Sequence, residues 1–358
     1  MNAITVIVLI FSIIGALDKL FGNKLGMGKE FDRAFSLFTP MASSMLGILA
    51  VAPAVGVWLE PVFEGFYNLF GIDPSIIPAS LFANDMGGMT IAREICKDQA
   101  VGNFNAFVIS SMMGCVISFT IPVAISMVKK EQHKDLFFGF LCGIVTVPVG
   151  GFVSGLICGL GVGEILLNLL PLLLLSGIIA AGLALAPNVS IKIFSVFGWL
   201  MRAAGIAGLI CAIFTFLTKI EINPYFGSLE SAAMICVNAC VTLTGMMPLM
   251  YLVKKLLNKP AERISAKMGI NSFSAVSFLA NLVSATTILG TMDQMNPKGV
   301  ALNAAFAVSA AFVFGSHLAF TMAFDSSYLL PVMVGKLLSG VCAVALAMLL
   351  YKEKTNED

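Results

Sequence analysis

The sequence is poor in charge. Only 11% of its 358 residues are Asp, Glu, Lys or Arg, against about 25% in an average soluble chain. It also lacks the signatures of several chemistries. There is no paired zinc spacing among its eight cysteines, no Walker A motif and no His-Glu-x-x-His. Few loops are long enough for a separate soluble domain. These absences exclude a cytosolic enzyme, a nucleic-acid binder and a disordered chain, and they provide for neither a metal nor a cofactor. Transport is favoured over catalysis. What is abundant is apolar: 58% of the residues are hydrophobic and the mean hydropathy is +0.96. Continuous runs of about 20 apolar residues suit helices that cross a bilayer. They do not alternate with period two, so a membrane barrel is not expected.

Eleven such segments are predicted, at 2–20, 35–59, 74–92, 104–128, 136–161, 165–186, 192–218, 229–253, 272–292, 300–324 and 328–351. The first lacks a basic leader and a cleavage site, so it reads as a retained span. Two segments are polar in their middle. Segment 74–92 contains Asn84-Asp85-Met86-Gly87-Gly88, and 272–292 contains Asn281, Ser284, Thr286 and Thr287. Irregular backbone at membrane depth is tolerated only where protein or a cavity surrounds it. The same two regions resemble each other. Gly71-Ile72-Asp73 matches Gly269-Ile270-Asn271, Leu81-Phe82-Ala83-Asn84 matches Phe278-Leu279-Ala280-Asn281, and Asn105 is echoed by Asn303. The offset stays near 198 residues, which points to an internal duplication of the kind found in secondary transporters.

Basic residues mark the cytoplasmic side of a membrane protein. If all eleven segments cross, the basic loop residues divide 10 against 9 between the two sides. If 74–92 and 272–292 enter and leave on one side, they divide 16 against 3, with Arg202 and Lys336 inside spans. The expected fold is therefore an all-α polytopic membrane protein. It has about nine crossing helices, two re-entrant broken segments and two inverted repeats. Residues 1–161 form the first repeat, 162–190 a connecting helix, 191–351 the second repeat and 352–358 a cytoplasmic tail.

Asp85 is the one acid placed at membrane depth. A carboxylate there costs roughly 2.5–3.5 kcal/mol on insertion scales and usually has a functional partner. It suits an organic cation or a proton, or it caps a helix within the hairpin. Asn84 and Asn281 occupy matching repeat positions and either bind substrate or satisfy backbone. Gly87 and Gly88 suit a tightly turned backbone beside a ligand. Ser284, Ser316 and His317 add polar groups at depth. An Asp85–Lys336 pair would weaken a cation site. Gly143, Gly151, Gly155, Gly159 and Gly163 recur at multiples of four and read as helix packing.

These residues resemble the ethanolamine-utilisation permease family, EutH. The stretches that carry the resemblance are Ala83-Asn84-Asp85-Met86-Gly87-Gly88, Ser111-Met112-Met113-Gly114, Gly143-Ile144-Val145-Thr146-Val147-Pro148-Val149-Gly150, Ala305-Phe306-Ala307-Val308-Ser309-Ala310-Ala311-Phe312 and Val334-Gly335-Lys336-Leu337. The resemblance implies a multi-pass protein of the bacterial inner membrane that admits ethanolamine. It departs from the family at Gly315-Ser316-His317-Leu318, where relatives carry an acid before the histidine. Asp325, about two helical turns on, is the nearest replacement. On this resemblance, Asp85 pairs with the ammonium group and Asn84 or Asn281 with the hydroxyl. The alternatives are a facilitator of neutral ethanolamine with a structural Asp85, and a non-transporting assembly or sensing subunit. The expected partners are ethanolamine and the lipid bilayer, without nucleic acid, and a homo-oligomer is compatible with the sequence.

Overall fold

The computed structural model describes residues 3–351; the tail at 352–358 lies outside the described residues. Among the described residues every regular element is helical. In chain order these are α1 (Ala3–Leu20), α2 (Met27–Ser36), α3 (Phe38–Phe70), α4 (Ile76–Leu81), α5 (Gly88–Ile95) and α6 (Gln99–Phe104). Helix α6 runs on through π-helical turns at Asn105–Gly114 and Val116–Thr120 into α7 (Ile121–Met127). There follow α8 (His133–Ile157), α9 (Val162–Leu185), α10 (Pro187–Thr218), α11 (Leu229–Met268), α12 (Ser272–Asn281), α13 (Ala285–Leu289), α14 (Pro297–Ala310), α15 (Ser316–Phe324) and α16 (Leu329–Leu350).

Among the described residues seven helices are long and apolar enough to cross a membrane: Met45–Phe70, Gln99–Met127, Lys130–Ile157, Val162–Leu185, Pro187–Thr218, Leu229–Pro260 and Ser326–Leu350. Nine crossings were expected, and the difference lies in two segments. Segment 2–20 is the 18-residue α1, which is not among the seven. Segment 300–324, read as one span, is interrupted at residues 311–315 between α14 and α15. The interruption is held by tertiary hydrogen bonds. The Phe312 and Phe314 N–H groups donate to the carbonyls of Asn281 and Leu282, at 3.2 and 2.8 Å. A Cβ on Gly315 would meet the Val283 carbonyl. Segments 74–92 and 272–292 are both broken, into α4 and α5 and into α12 and α13.

Helices α8, α14 and α16 pack as a close group. Gly143 of α8 lies against Val308 and the Ala305 carbonyl, and Gly150 against the Gly335 carbonyl. Such small residues let backbones approach in lipid. Hydroxyls add interhelical bonds, from Ser154 to the Pro331 carbonyl at 2.8 Å and between Ser309 and Ser339 at 2.7 Å. Gly151 and Gly155 also pack, against Leu169 and Ile165. Gly159 and Gly163 do not. They lie past the end of α8, with nothing near an added Cβ, because the helix stops at Ile157. The outward faces of α9 and α10 carry exposed Leu174, Ile178, Ile206, Ile210 and Leu217, as lipid-facing helices do.

Several positions that make similar contacts in the two halves lie 198 residues apart. Gly71 and Gly269 end α3 and α11 with φ of 65° and 68°. Asp73 accepts from the Ser75 N–H at 2.9 Å, and Asn271 accepts from the Ser274 N–H at 2.9 Å. Asp98 caps α6 and Asn296 caps α14. Gly47 of α3 meets the backbone of α10, and Gly245 of α11 meets that of α1. Three polar contacts join segments distant in the chain: Lys129 with Asp293 at 3.1 Å, Tyr351 with Asp135 at 2.9 Å, and Lys97 with Glu60 at 3.9 Å.

Candidate functional site

The breaks in the helices meet around one cavity of about 540 Å³. Exposed Arg33, Ser126, Arg202 and Thr287 stand at its mouth. Its walls are apolar, with Met41 and Met45 from α3, Leu243 and Met247 from α11, and Phe119 and Val123 from the α6–α7 rod. The polar groups are few: Asp85, Cys115, Ser118, Ser284, Ser316 and His317 line it at depth. An apolar pocket with a few convergent polar groups is the usual form of a small-molecule site.

The Asp85 carboxylate is positioned by its hairpin. Gly87, with φ of 90°, turns the chain back in a conformation that glycine adopts without strain. A Cβ on Gly88 or on Gly114 would fall on the Phe82 carbonyl, so Gly88 lets the hairpin fold back on itself and Gly114 lets its tip lie against the rod. The Ser118 hydroxyl fixes the tip by accepting from the Ala83 N–H at 2.9 Å. The Asp85 carboxylate faces the Ser316 hydroxyl at the start of α15.

Next to Ser316, His317 turns to a second charge. The Lys336 ammonium, from the middle of α16, donates to the Ser111 carbonyl and lies 3.1 Å from His317 Nδ1. Ser111 belongs to the π-helical stretch. Departures of this kind from α-geometry frequently mark functional positions. Lys336 is 1% exposed. It does not reach ion-pair distance of Asp85, although each charge acts on the other.

Of the residues singled out from sequence, Asp85, Ser284, Ser316 and His317 line the cavity, whereas Asn84, Asn281, Gly87 and Gly88 do not. Asn84 is fully buried and accepts from the Asp85 N–H at 2.9 Å. Asn281 is buried and donates to the Asn303 carbonyl at 3.2 Å. Asn84 thus serves the backbone of its own hairpin, and Asn281 ties its hairpin to α14. Asp325 is likewise taken, accepting from the Ser327 N–H at 2.9 Å as a helix cap, so it does not replace the acid missing before His317.

Sequence reasoning overlooked Ser118 and Cys115. The repeat held the signal for Ser118. Five pairs of lining residues stand 198 apart: Met45 and Leu243, Asp85 and Val283, Met86 and Ser284, Ser118 and Ser316, and Phe119 and His317. The frame of the cavity is thus paired, while its chemistry is one-sided. The partner position of the acid is a valine, and that of the histidine is a phenylalanine.

The family described as "Ethanolamine utilisation protein, EutH" matches residues 1–350. The "Probable ethanolamine permease EutH" of Listeria monocytogenes is 35% identical, covering 98% of this chain and 96% of the relative. The protein of the same name in Salmonella typhimurium is 31% identical, covering 96% and 94%. An "Uncharacterized protein YxeR" of Bacillus subtilis is 34% identical, covering 97% and 94%. No solved structure matches the chain.

Proposed function

The chain belongs to the EutH family of ethanolamine utilisation proteins, and we propose that it imports ethanolamine, as its ammonium form, across the bacterial inner membrane. It is a multi-pass helical membrane protein of a permease family, not an enzyme. The observation that carries the substrate reading is the lone carboxylate of Asp85 in a cavity with apolar walls. Ethanolamine is a primary amine and, near neutral pH, mostly a cation like a lysine head group. Moving that charge into a dry cavity is forbidding unless an opposite charge meets it. Asp85 supplies it. The hydroxyl of the substrate then finds Ser316 and the His317 ring, the polar groups beside Asp85 that face the same space.

The transport cycle follows from the repeats. In this reading residues 1–161 and 191–351 are inverted copies joined by a connecting helix at 162–190, and the broken hairpins re-enter from opposite sides. The polar contacts between distant segments support it. Lys129–Asp293, Tyr351–Asp135 and Lys97–Glu60 each join residues that the segment bounds read from sequence put on opposite sides with eleven crossings and on the same side with nine. The cavity mouth at Arg33 and Ser126 then faces the cytoplasm, and alternating access exposes Asp85 to each side in turn. A cation falls down the membrane potential, so uniport needs no coupling ion.

The Lys336 charge near Asp85 favours one rival, passage of the neutral amine past a structural Asp85. Uptake of labelled ethanolamine by purified protein in liposomes, followed across pH, separates the two. Cation transport persists in acid medium, whereas neutral-amine flux dies away. Absence of any flux would favour a non-transporting subunit.

A further inference from the structure

Lys336 is a fully buried lysine that does not itself touch the cavity. It sits mid-helix in α16 and is absent from the cavity wall. Its hydrogen-bond partners, the Ser111 carbonyl and His317 Nδ1, are both uncharged acceptors. The other titratable groups that face it are Cys115 from the π-helical rod and Asp85 from the first hairpin. Among the described residues Asp85 is therefore the one acid that faces it. The two are linked through consecutive residues, because Ser316 faces Asp85 while His317 holds Lys336. In a low-dielectric interior, charges interact strongly even beyond contact distance.

We propose that Lys336 is the standing counter-charge of Asp85, which leaves the binding site electrically neutral without substrate and singly positive with it. This rests on the reading of Asp85 as the ammonium site. The consequence concerns the return step of the carrier. A uniporter must reorient without its substrate, and a bare buried carboxylate opposes that step through its desolvation cost. With Lys336 in place the unloaded site carries no net charge, so the return is unhindered. The loaded site carries the charge, so the membrane potential acts on the inward step.

The test compares two transport modes in liposomes: net ethanolamine uptake, and exchange of labelled for unlabelled ethanolamine present on both sides. Exchange uses only the loaded carrier. In Lys336→Gln the unloaded site is singly negative and the loaded site neutral. Net uptake is expected to fall at least tenfold relative to exchange, and exchange is expected to lose the voltage dependence seen in the unchanged protein. If both modes fall together and exchange keeps its voltage dependence, Lys336 is only a packing residue and the proposal is overturned. Should Lys336→Gln not fold, ethanolamine affinity of Asp85→Asn is compared with that of Asp85→Asn/Lys336→Gln. The double variant is expected to bind at least tenfold more tightly, because the unopposed lysine no longer repels the ammonium. Equal affinity would overturn the proposal. Failure of the unchanged protein to transport ethanolamine at all would instead strike the assignment of the substrate.

Discussion

Lys336 Nζ lies 3.1 Å from Nδ1 of His317. A lysine ammonium has only donors to offer, so Nδ1 accepts and the ring proton of the neutral imidazole sits on Nε2. The ring also lines the cavity, and its Nε2–H is the donor we assign to the substrate hydroxyl. One hydrogen bond of this kind contributes about 1 kcal/mol. His317→Leu is therefore expected to lower the preference for ethanolamine over ethylamine by roughly fivefold, measured as competition for uptake. An unchanged preference would remove His317 from hydroxyl recognition.

Asp85→Asn removes the charge and keeps the shape. Losing one partner of a desolvated charge pair costs about 2–5 kcal/mol. Uptake in acid medium is expected to drop by roughly thirtyfold or more. Retained uptake there would leave Asp85 a structural role only.

The hairpin tip makes a stability prediction. Gly114→Ala would push a methyl group into the carbonyls of Phe82 and Ala79. Overpacking of this kind costs about 1–3 kcal/mol, seen as a lowered unfolding temperature in detergent. Gly163→Ala, with open space around it in the first turn of α9, is expected to be neutral or slightly stabilising.

Topology is tested by cysteine labelling in intact cells, in a chain whose native cysteines are replaced by serine. Lys97→Cys is expected to react with an impermeant maleimide from outside. Lys255→Cys and Ser126→Cys, the latter at the cavity mouth, are expected to react only after permeabilisation. Labelling of position 255 from outside would contradict the re-entrant arrangement.

Much of the architecture was legible because membrane helices announce themselves by length and apolarity, and because Gly and Asn punctuate the hairpins. Asp85 stood out because charge is rare at that depth. The break between α14 and α15 was not legible. Gly315 is its only glycine, and the break is held by hydrogen bonds from Phe312 and Phe314 to a hairpin distant in the chain. The facing of Asn84 and Asn281 stayed open in the sequence for a related reason. A polar side chain at a chain break serves either a ligand or its own backbone, and only tertiary packing decides. Lys336 was visible as a span lysine, but its acceptors on Ser111 and His317 come from separate helices. Ser118 was within reach, since the spacing that relates Asn105 to Asn303 also relates Ser118 to Ser316.

The central claim is that this chain alone moves ethanolamine as a cation through the Asp85 site. Flux into liposomes holding only the purified protein, with the membrane potential set by a potassium gradient and valinomycin, tests it most directly. One charge crossing 100 mV is worth roughly 2.3 kcal/mol, or about fiftyfold accumulation. The account predicts accumulation approaching that ratio when the interior is negative, and its loss in Asp85→Asn. Flux that ignores the potential and follows the neutral amine as pH rises would contradict it.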